Sequence, residues 1–172
     1  MKKSGSVPEE ENTANGVIAI VNIGSNLGNR RLNLARAVGA LVNRFGPNYQ
    51  ISHVVESPPW GFSSDNTFLN VCMLFDTDLD GEELLTELQS IERGISPASH
   101  RQADGSYADR VIDIDLVDFG RQVVSTPRLS LPHPRMAQRR FFLEPLAEIA
   151  PGYTHPLTGL TLAEMLAALP LK

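Results

Sequence analysis

Residues Asp109 to Gly120 read DRVIDIDLVDFG. Val111, Ile112, Ile114, Leu116, Val117 and Phe119 give the stretch the β-branched and aromatic character of a strand, yet Asp113 and Asp115 interrupt it. Aspartate is depleted in strands because its carboxylate competes for backbone hydrogen bonds. Side chains alternate across a strand, so the two acids share one face and Ile112, Ile114 and Leu116 share the other. The acids' Cα atoms then lie roughly 7 Å apart, at about 3.3 Å per residue. The aliphatic face belongs to a core, and the acidic face looks onto the open side of a sheet.

The elements on either side set the topology. Upstream, VIAIVNIG from Val17 reads as a strand, and GSNLGNR supplies turn chemistry with an N-cap at Asn29. Leu34, Val38, Leu41, Val42 and Phe45 then fall on one face at helical spacing until Gly46-Pro47. QISHVVE (50–56) predicts a second strand, SPPWG a rigid turn, and FLNVCMLFDT a third strand. Asp80 and Glu83 have capping-box spacing ahead of a stripe of Leu84, Leu88 and Ile91, with Gly94 as the stop. The stretch ISPASHRQADGSYA has no period and reads as a long loop, the kind that in compact domains commonly serves function. After Gly120 come a short strand, the proline-bounded SLPHPRM, a partly helical RRFFLEPLAEIAP, and a helix TLAEMLAAL boxed by Thr161 and Glu164.

The order β-α-β-β-α-β is the ferredoxin-like arrangement of the α/β (α+β) class. It implies an antiparallel sheet with helices packed mainly on one face, plus an extra C-terminal helical segment, and an opposite face open to a ligand. Residues 1–15 are polar and read as a disordered leader, leaving 16–172 as a single domain.

Composition narrows the function. A net charge of -5 argues against a general nucleic-acid binder, which needs surplus Lys and Arg to displace counterions. No apolar run approaches the roughly 20 residues that cross a bilayer, and the N-terminus lacks the apolar region of a signal peptide. The expectation is a cytoplasmic protein with no membrane or nucleic-acid partner, and a buried, reduced Cys72. Arginine is nevertheless concentrated in the second half, at Arg101, Arg110, Arg128, Arg135, Arg139 and Arg140.

Two carboxylates held together raise each other's pKa, a conflict that a divalent cation removes. Hard oxygen ligands suit Mg²⁺, which takes one or two carboxylates and completes its shell with water and substrate phosphates. A bare D-x-D is weak alone, since a solvated strand face with two harmless acids reads the same way. The arginines and His133 in LPHPRM add what a triphosphate site requires. GSNLGNRR lacks the G-K-[ST] ending of a Walker A loop and reads chiefly as a turn and helix cap, with a ligand-lining role as the alternative.

Six segments in order, IGSNLGN, SPPWG with FLNV, QSIER, DRVIDIDLVDFG, LPHPRM and RRFFLEPLAEIAP, make the chain resemble the 6-hydroxymethyl-7,8-dihydropterin pyrophosphokinases of folate biosynthesis from about Val17 onward. The resemblance implies transfer of the β,γ-diphosphate of ATP to the pterin's hydroxymethyl group, leaving AMP, with ATP as co-substrate and two Mg²⁺ ions. It places the ions on Asp113 and Asp115, with Arg110 as a further catalytic group. It also implies an aromatic sandwich of Phe68 and Phe141 around the pterin, with Asn70 on its edge and Ser57, Pro58 and Trp60 bordering it. To ATP it assigns Gln89, Glu92, Arg101, Arg110, Ser130, His133 and Arg139. Ordinary core packing is the rival reading for the two phenylalanines, and a solvated helix face for Gln89 and Glu92. The chain departs from the family pattern within SHRQADGSYADR, where Arg101 and Tyr107 stand near positions that many members fill with arginines and an Arg-Trp pair. A catalytically degenerate pterin- and nucleotide-binding member is the alternative, and association with other folate-pathway enzymes a further expectation.

Overall fold

Strand β1 (Val17–Ser25) occupies the interior of the sheet because its residues are buried from Ala19 to Ser25. The computed structural model describes residues 16–97 and 107–171; the leader expected at 1–15 lies outside the described residues. β1 pairs antiparallel with β4 (Phe68–Thr77) on one side and β5 (Asp113–Phe119) on the other. β2 (Tyr49–Ile51) and β3 (Val55–Ser57) both pair with β4, giving the order β2-β4-β1-β5. The crossovers are α1 (Arg30–Phe45) and α2 (Gly81–Ile95), so the ferredoxin-like order holds. A hairpin of β6 (Val124–Ser125) and β7 (Ser130–Leu131) follows β5.

Local chemistry starts the helices where the sequence predicts. Asn29 accepts from the N–H of Leu32, and both reciprocal bonds of the Asp80–Glu83 box are present. The helices bury Leu34, Ala37, Leu41, Leu84 and Leu88 against Val21, Ile23, Val71, Met73, Ile114 and Leu116. Each such leucine, isoleucine, valine or methionine contributes roughly 1.5–3 kcal/mol by leaving water.

The second face is divided, which the expectation of an open face did not include. A 3-10 turn (Met136–Gln138), α3 (Arg140–Ile149) and α4 (Leu162–Ala167) cover Ile20, Cys72 and Val117 with Met136, Phe142, Leu143, Leu146 and Met165. That is the extra C-terminal segment. It leaves uncovered the half of the face that carries Asn22, Gly24, Asn70, Asp113 and Asp115.

Three boundaries differ from expectation. QISHVVE is two strands, because the four steps from Ile51 to Val55 face only three from Met73 to Asn70. One extra residue bulges out there. Ser52 Oγ takes the Cys72 N–H at 2.9 Å, and the His53 N–H turns to the Glu148 carboxylate. Gly94 lies inside α2, whose end is capped by the Ser96 N–H on the Glu92 carbonyl. β5 begins at Asp113 rather than near Asp109, and carries its own bulge: Val21 faces Leu116 while Ile20 faces Asp118, leaving Val117 unopposed. Two adjacent side chains, Val117 and Asp118, are thereby sent to the same face, where Asp118 accepts from the Tyr153 hydroxyl at 2.7 Å.

Candidate active site

The uncovered half-face floors a cleft of about 430 Å³. Phe68 and Asn70 come from β4, Asp113 and Asp115 from β5; one wall is Ser57 at the end of β3 with Pro58 and Trp60 just after it. Gln89 and Glu92 enter from α2, and Ser130, His133, Arg139 and Phe141 from β7 and the C-terminal segment, with Arg110 beside the acids. The structure thus gathers every anticipated residue within its described range; Arg101 lies outside the described residues. Gly24 keeps the floor clear, since a Cβ there would sit 2.9 Å from Asn70 Oδ1.

Each acid has one arginine. Arg110 Nη1 donates to Asp113 Oδ2 at 2.8 Å, whereas Arg139 Nη1 reaches Asp115 Oδ2 at only 3.5 Å. Asp115 opens into the cleft through 26% of its side-chain surface. Burial, and then the neighbouring Asp113 carboxylate, hold its pKa well above the usual carboxylate range, with Arg139 pulling the other way. Between the acids, the Ile114 N–H donates to Glu92 Oε1 and locks α2 to β5. The donor set is all oxygen, as Mg²⁺ prefers. Among the described residues no three His, Cys, Asp or Glu side chains form a metal cluster, so the pair fits an ion that draws its remaining ligands from substrate and water.

Aromatic rings hold the arginines. The Arg110 guanidinium lies over Phe68 at 5.6 Å and over Tyr107 at 5.3 Å, and Phe62 meets Phe68 edge-on. Arg139 sits 4.7 Å over Trp60, which also supports Arg135 at 5.3 Å. Trp60 is therefore a platform for cations at the cleft wall. Phe68 is buried and lines the cleft, outside both hydrophobic core clusters.

Asn26 is a positioning residue that the sequence did not single out. Its Oδ1 accepts the Arg110 N–H at 2.7 Å, its Nδ2 donates to Asp109 Oδ1 at 2.8 Å and to the Asn66 carbonyl, and its N–H donates to the Arg110 carbonyl at 3.1 Å. Asn66 closes the ring on Asp109 Oδ2 at 2.7 Å. This latch ends the strand early and aims Arg110 at Asp113. The signal lay in GSNLGN, where a second asparagine stands beyond the one that caps α1. Asn26→Ala leaves the buried Arg110 N–H unpaired; we expect a loss of about 1–3 kcal/mol in urea unfolding, together with slower turnover.

His133 is a neutral hydrogen-bond donor. Its Nδ1 accepts from the Arg135 N–H at 3.1 Å, which assigns the proton to Nε2. Burial and the Arg139 guanidinium push its pKa down to about 4. The unfolded chain protonates this ring near its ordinary value of 6.5, so between the two values the unfolded state binds more protons and stability is lost as pH falls. Melting temperatures measured from pH 7 to 4 should decline less steeply in His133→Gln than in the wild type.

A family profile described as 7,8-dihydro-6-hydroxymethylpterin-pyrophosphokinase (HPPK) matches residues 20–151. The 2-amino-4-hydroxy-6-hydroxymethyldihydropteridine pyrophosphokinase of Porphyromonas gingivalis is 39% identical over 140 residues, covering 81% of this chain and 94% of the relative. The enzyme of the same name from Aquifex aeolicus is 35% identical over 135 residues, 78% and 81% of the two chains. Among solved structures, an HPPK-DHPS in complex with substrates superposes with a TM-score of 0.71 at 13% identity over 89% of this chain. That likeness concerns the fold, and this chain spans 43% of the solved one.

Proposed function

The chain belongs to the 7,8-dihydro-6-hydroxymethylpterin-pyrophosphokinase family, and from that membership we propose how its cleft moves the diphosphate of ATP to the hydroxymethyl group of 6-hydroxymethyl-7,8-dihydropterin in folate biosynthesis. The carrying observation is that Asp113 and Asp115 share one cleft with Arg110, Arg139, Phe68, Asn70 and Phe141.

The flat heterocycle lies between Phe68 and Phe141, with its polar edge on Asn70 and its border along Ser57, Pro58 and Trp60. Stacking with directional hydrogen bonds is what such a ring needs. ATP runs between α2 and the C-terminal wall, held by Gln89, Glu92, Ser130, His133 and Arg139, with Arg101 assigned by resemblance alone. The hydroxymethyl oxygen attacks the β-phosphorus, the bond from that phosphorus to the α,β-bridging oxygen breaks, AMP leaves with that oxygen, and the hydroxyl proton is released to water. Holding the hydroxyl in line is the larger part of the task, because phosphoryl transfer depends on positioning and charge neutralisation rather than covalent catalysis. Arg110 and Arg139 place fixed positive charge there, and His133 offers a neutral N–H. Asp113 and Asp115 hold Mg²⁺, two ions by family resemblance, which when bound neutralises phosphate oxygens.

Purified protein given ATP, Mg²⁺ and the hydroxymethyl-dihydropterin should release AMP and the pterin diphosphate. A folded preparation that binds both ligands yet releases no AMP would instead match a degenerate binding protein. No helix among the described residues is long and apolar enough to cross a membrane, and we assign the enzyme to the cytoplasm. The joined architecture of the solved HPPK-DHPS chains supports association with other folate-pathway enzymes.

A further inference from the structure

A single amide interrupts β1, whose sequence is VIAIVNIGS: Asn22, 3% exposed. Ala19, Val21 and Ile23 take the core face, so Asn22 shares the other with Ile20 and Gly24 and lines the cleft. Register sets it opposite Asp115 on β5 and Cys72 on β4. Its Nδ2 makes only a long contact, 3.5 Å, to Asn70 Oδ1, and its own Oδ1 has no hydrogen-bond partner among the described residues. Asn70 Nδ2 in turn donates to Ser57 Oγ at 2.8 Å. A polar row, Ser57 to Asn70 to Asn22, therefore crosses three strands and ends in an unused acceptor beside the acids.

A buried carbonyl oxygen without a partner is a net penalty in the free protein, and an apolar residue would suit an interior strand better. The penalty is relieved if a ligand supplies the donor. We propose that Asn22 is a specificity-determining residue whose Oδ1 accepts a hydrogen bond from a ring or exocyclic N–H of the flat heterocycle that Asn70 also reads. This rests on the pterin reading of the cleft. An isostere without that N–H leaves the acceptor buried and unpaired, and a site built around such a bond discriminates strongly against it.

The position makes an unusual pair of effects testable in one variant. In Asn22→Ala, calorimetry with 6-hydroxymethyl-7,8-dihydropterin, in the presence of Mg²⁺ and a non-hydrolysable ATP analogue, should give a Kd raised roughly ten-fold, the loss of one good hydrogen bond. The Kd of the ATP analogue alone should stay put, and the urea midpoint should hold or rise because an unpaired polar group has gone. Asn22→Ser keeps a hydroxyl acceptor and should recover part of the pterin affinity; it also carries the test if the alanine variant does not fold. A pterin Kd unchanged from wild type, or a fall in stability with equal weakening of both ligands, overturns the assignment. Asn70→Ala, run alongside, separates the two levels. If it loses pterin affinity while Asn22→Ala does not, only Asn22 is wrongly placed; if neither variant changes it, the cleft is not the pterin site.

Discussion

Asp115→Asn should lower the rate of AMP formation by about a thousand-fold or more while leaving the metal-free protein as stable as wild type at neutral pH, or more stable. The first half follows from the metal role proposed for Asp115: asparagine keeps an oxygen but removes one of the two negative charges that would hold Mg²⁺ against a tetra-anionic nucleotide, and electrostatics is usually the largest contribution in such a site. The second half follows from burial and the nearby Asp113, which hold the Asp115 pKa well above its ordinary 3.8. Between the ordinary and the raised value the folded state binds more protons than the unfolded one, so stability falls as pH rises through that window. Asparagine cannot ionise and removes that loss. Urea unfolding without Mg²⁺ across the pH range should show a flatter profile in the variant. Wild-type AMP release would remove Asp115 from the mechanism, and a marked loss of stability at neutral pH would contradict the electrostatic account.

Phe141→Ala should weaken pterin binding by roughly ten- to hundred-fold, the usual range for loss of one stacking face, and change nucleotide affinity by no more than about two-fold. The selectivity comes from how Arg139 is held. Its guanidinium lies 5.6 Å from the Phe141 ring but 4.7 Å from Trp60 and 5.0 Å from Phe142, so two supports remain when Phe141 is truncated. Stability should change little, because Phe141 is half-buried at the start of α3 while Phe142 beside it carries the core contact. Separate calorimetric titrations of the two ligands decide the matter: equal losses would mean that Phe141 shapes the whole cleft rather than stacking on the heterocycle.

Helix starts and the alternation of apolar residues could be read from the sequence because both are local. Asn29, Asp80 and Thr161 cap where they were expected to. Gly94 is passed over locally, α2 running on to its Ser96 cap, whereas the two strand departures come from partners distant in sequence. QISHVVE has uninterrupted strand character, yet its bulge is held by Cys72 and by Glu148, 95 residues from His53. DRVIDI begins like a strand but is claimed by Asn26, 84 residues away from Arg110. The acids could be identified because aspartate is anomalous in a strand. Asn22 carried a similar anomaly, an amide within a run of Val and Ile, but periodicity alone does not say whether a neighbour will satisfy it. The half-covered second face depended on where the C-terminal segment packs, which amphipathic patterning in α3 and α4 does not specify.

The bulge at Val117 separates what the sheet needs from what the cleft needs. Without that residue β5 would alternate faultlessly: Ile114, Leu116 and Phe119 would still enter the core, and Asp113, Asp115 and Asp118 the opposite side. The sheet could dispense with it. The Val117 carbonyl, however, is where the His133 N–H hangs at 2.8 Å, and its side chain seats the C-terminal cover. A one-residue insertion in an otherwise ordinary strand is thus the peg that fastens the lateral wall of the cleft, and its excision would yield a sound scaffold that had come loose from its own enzyme.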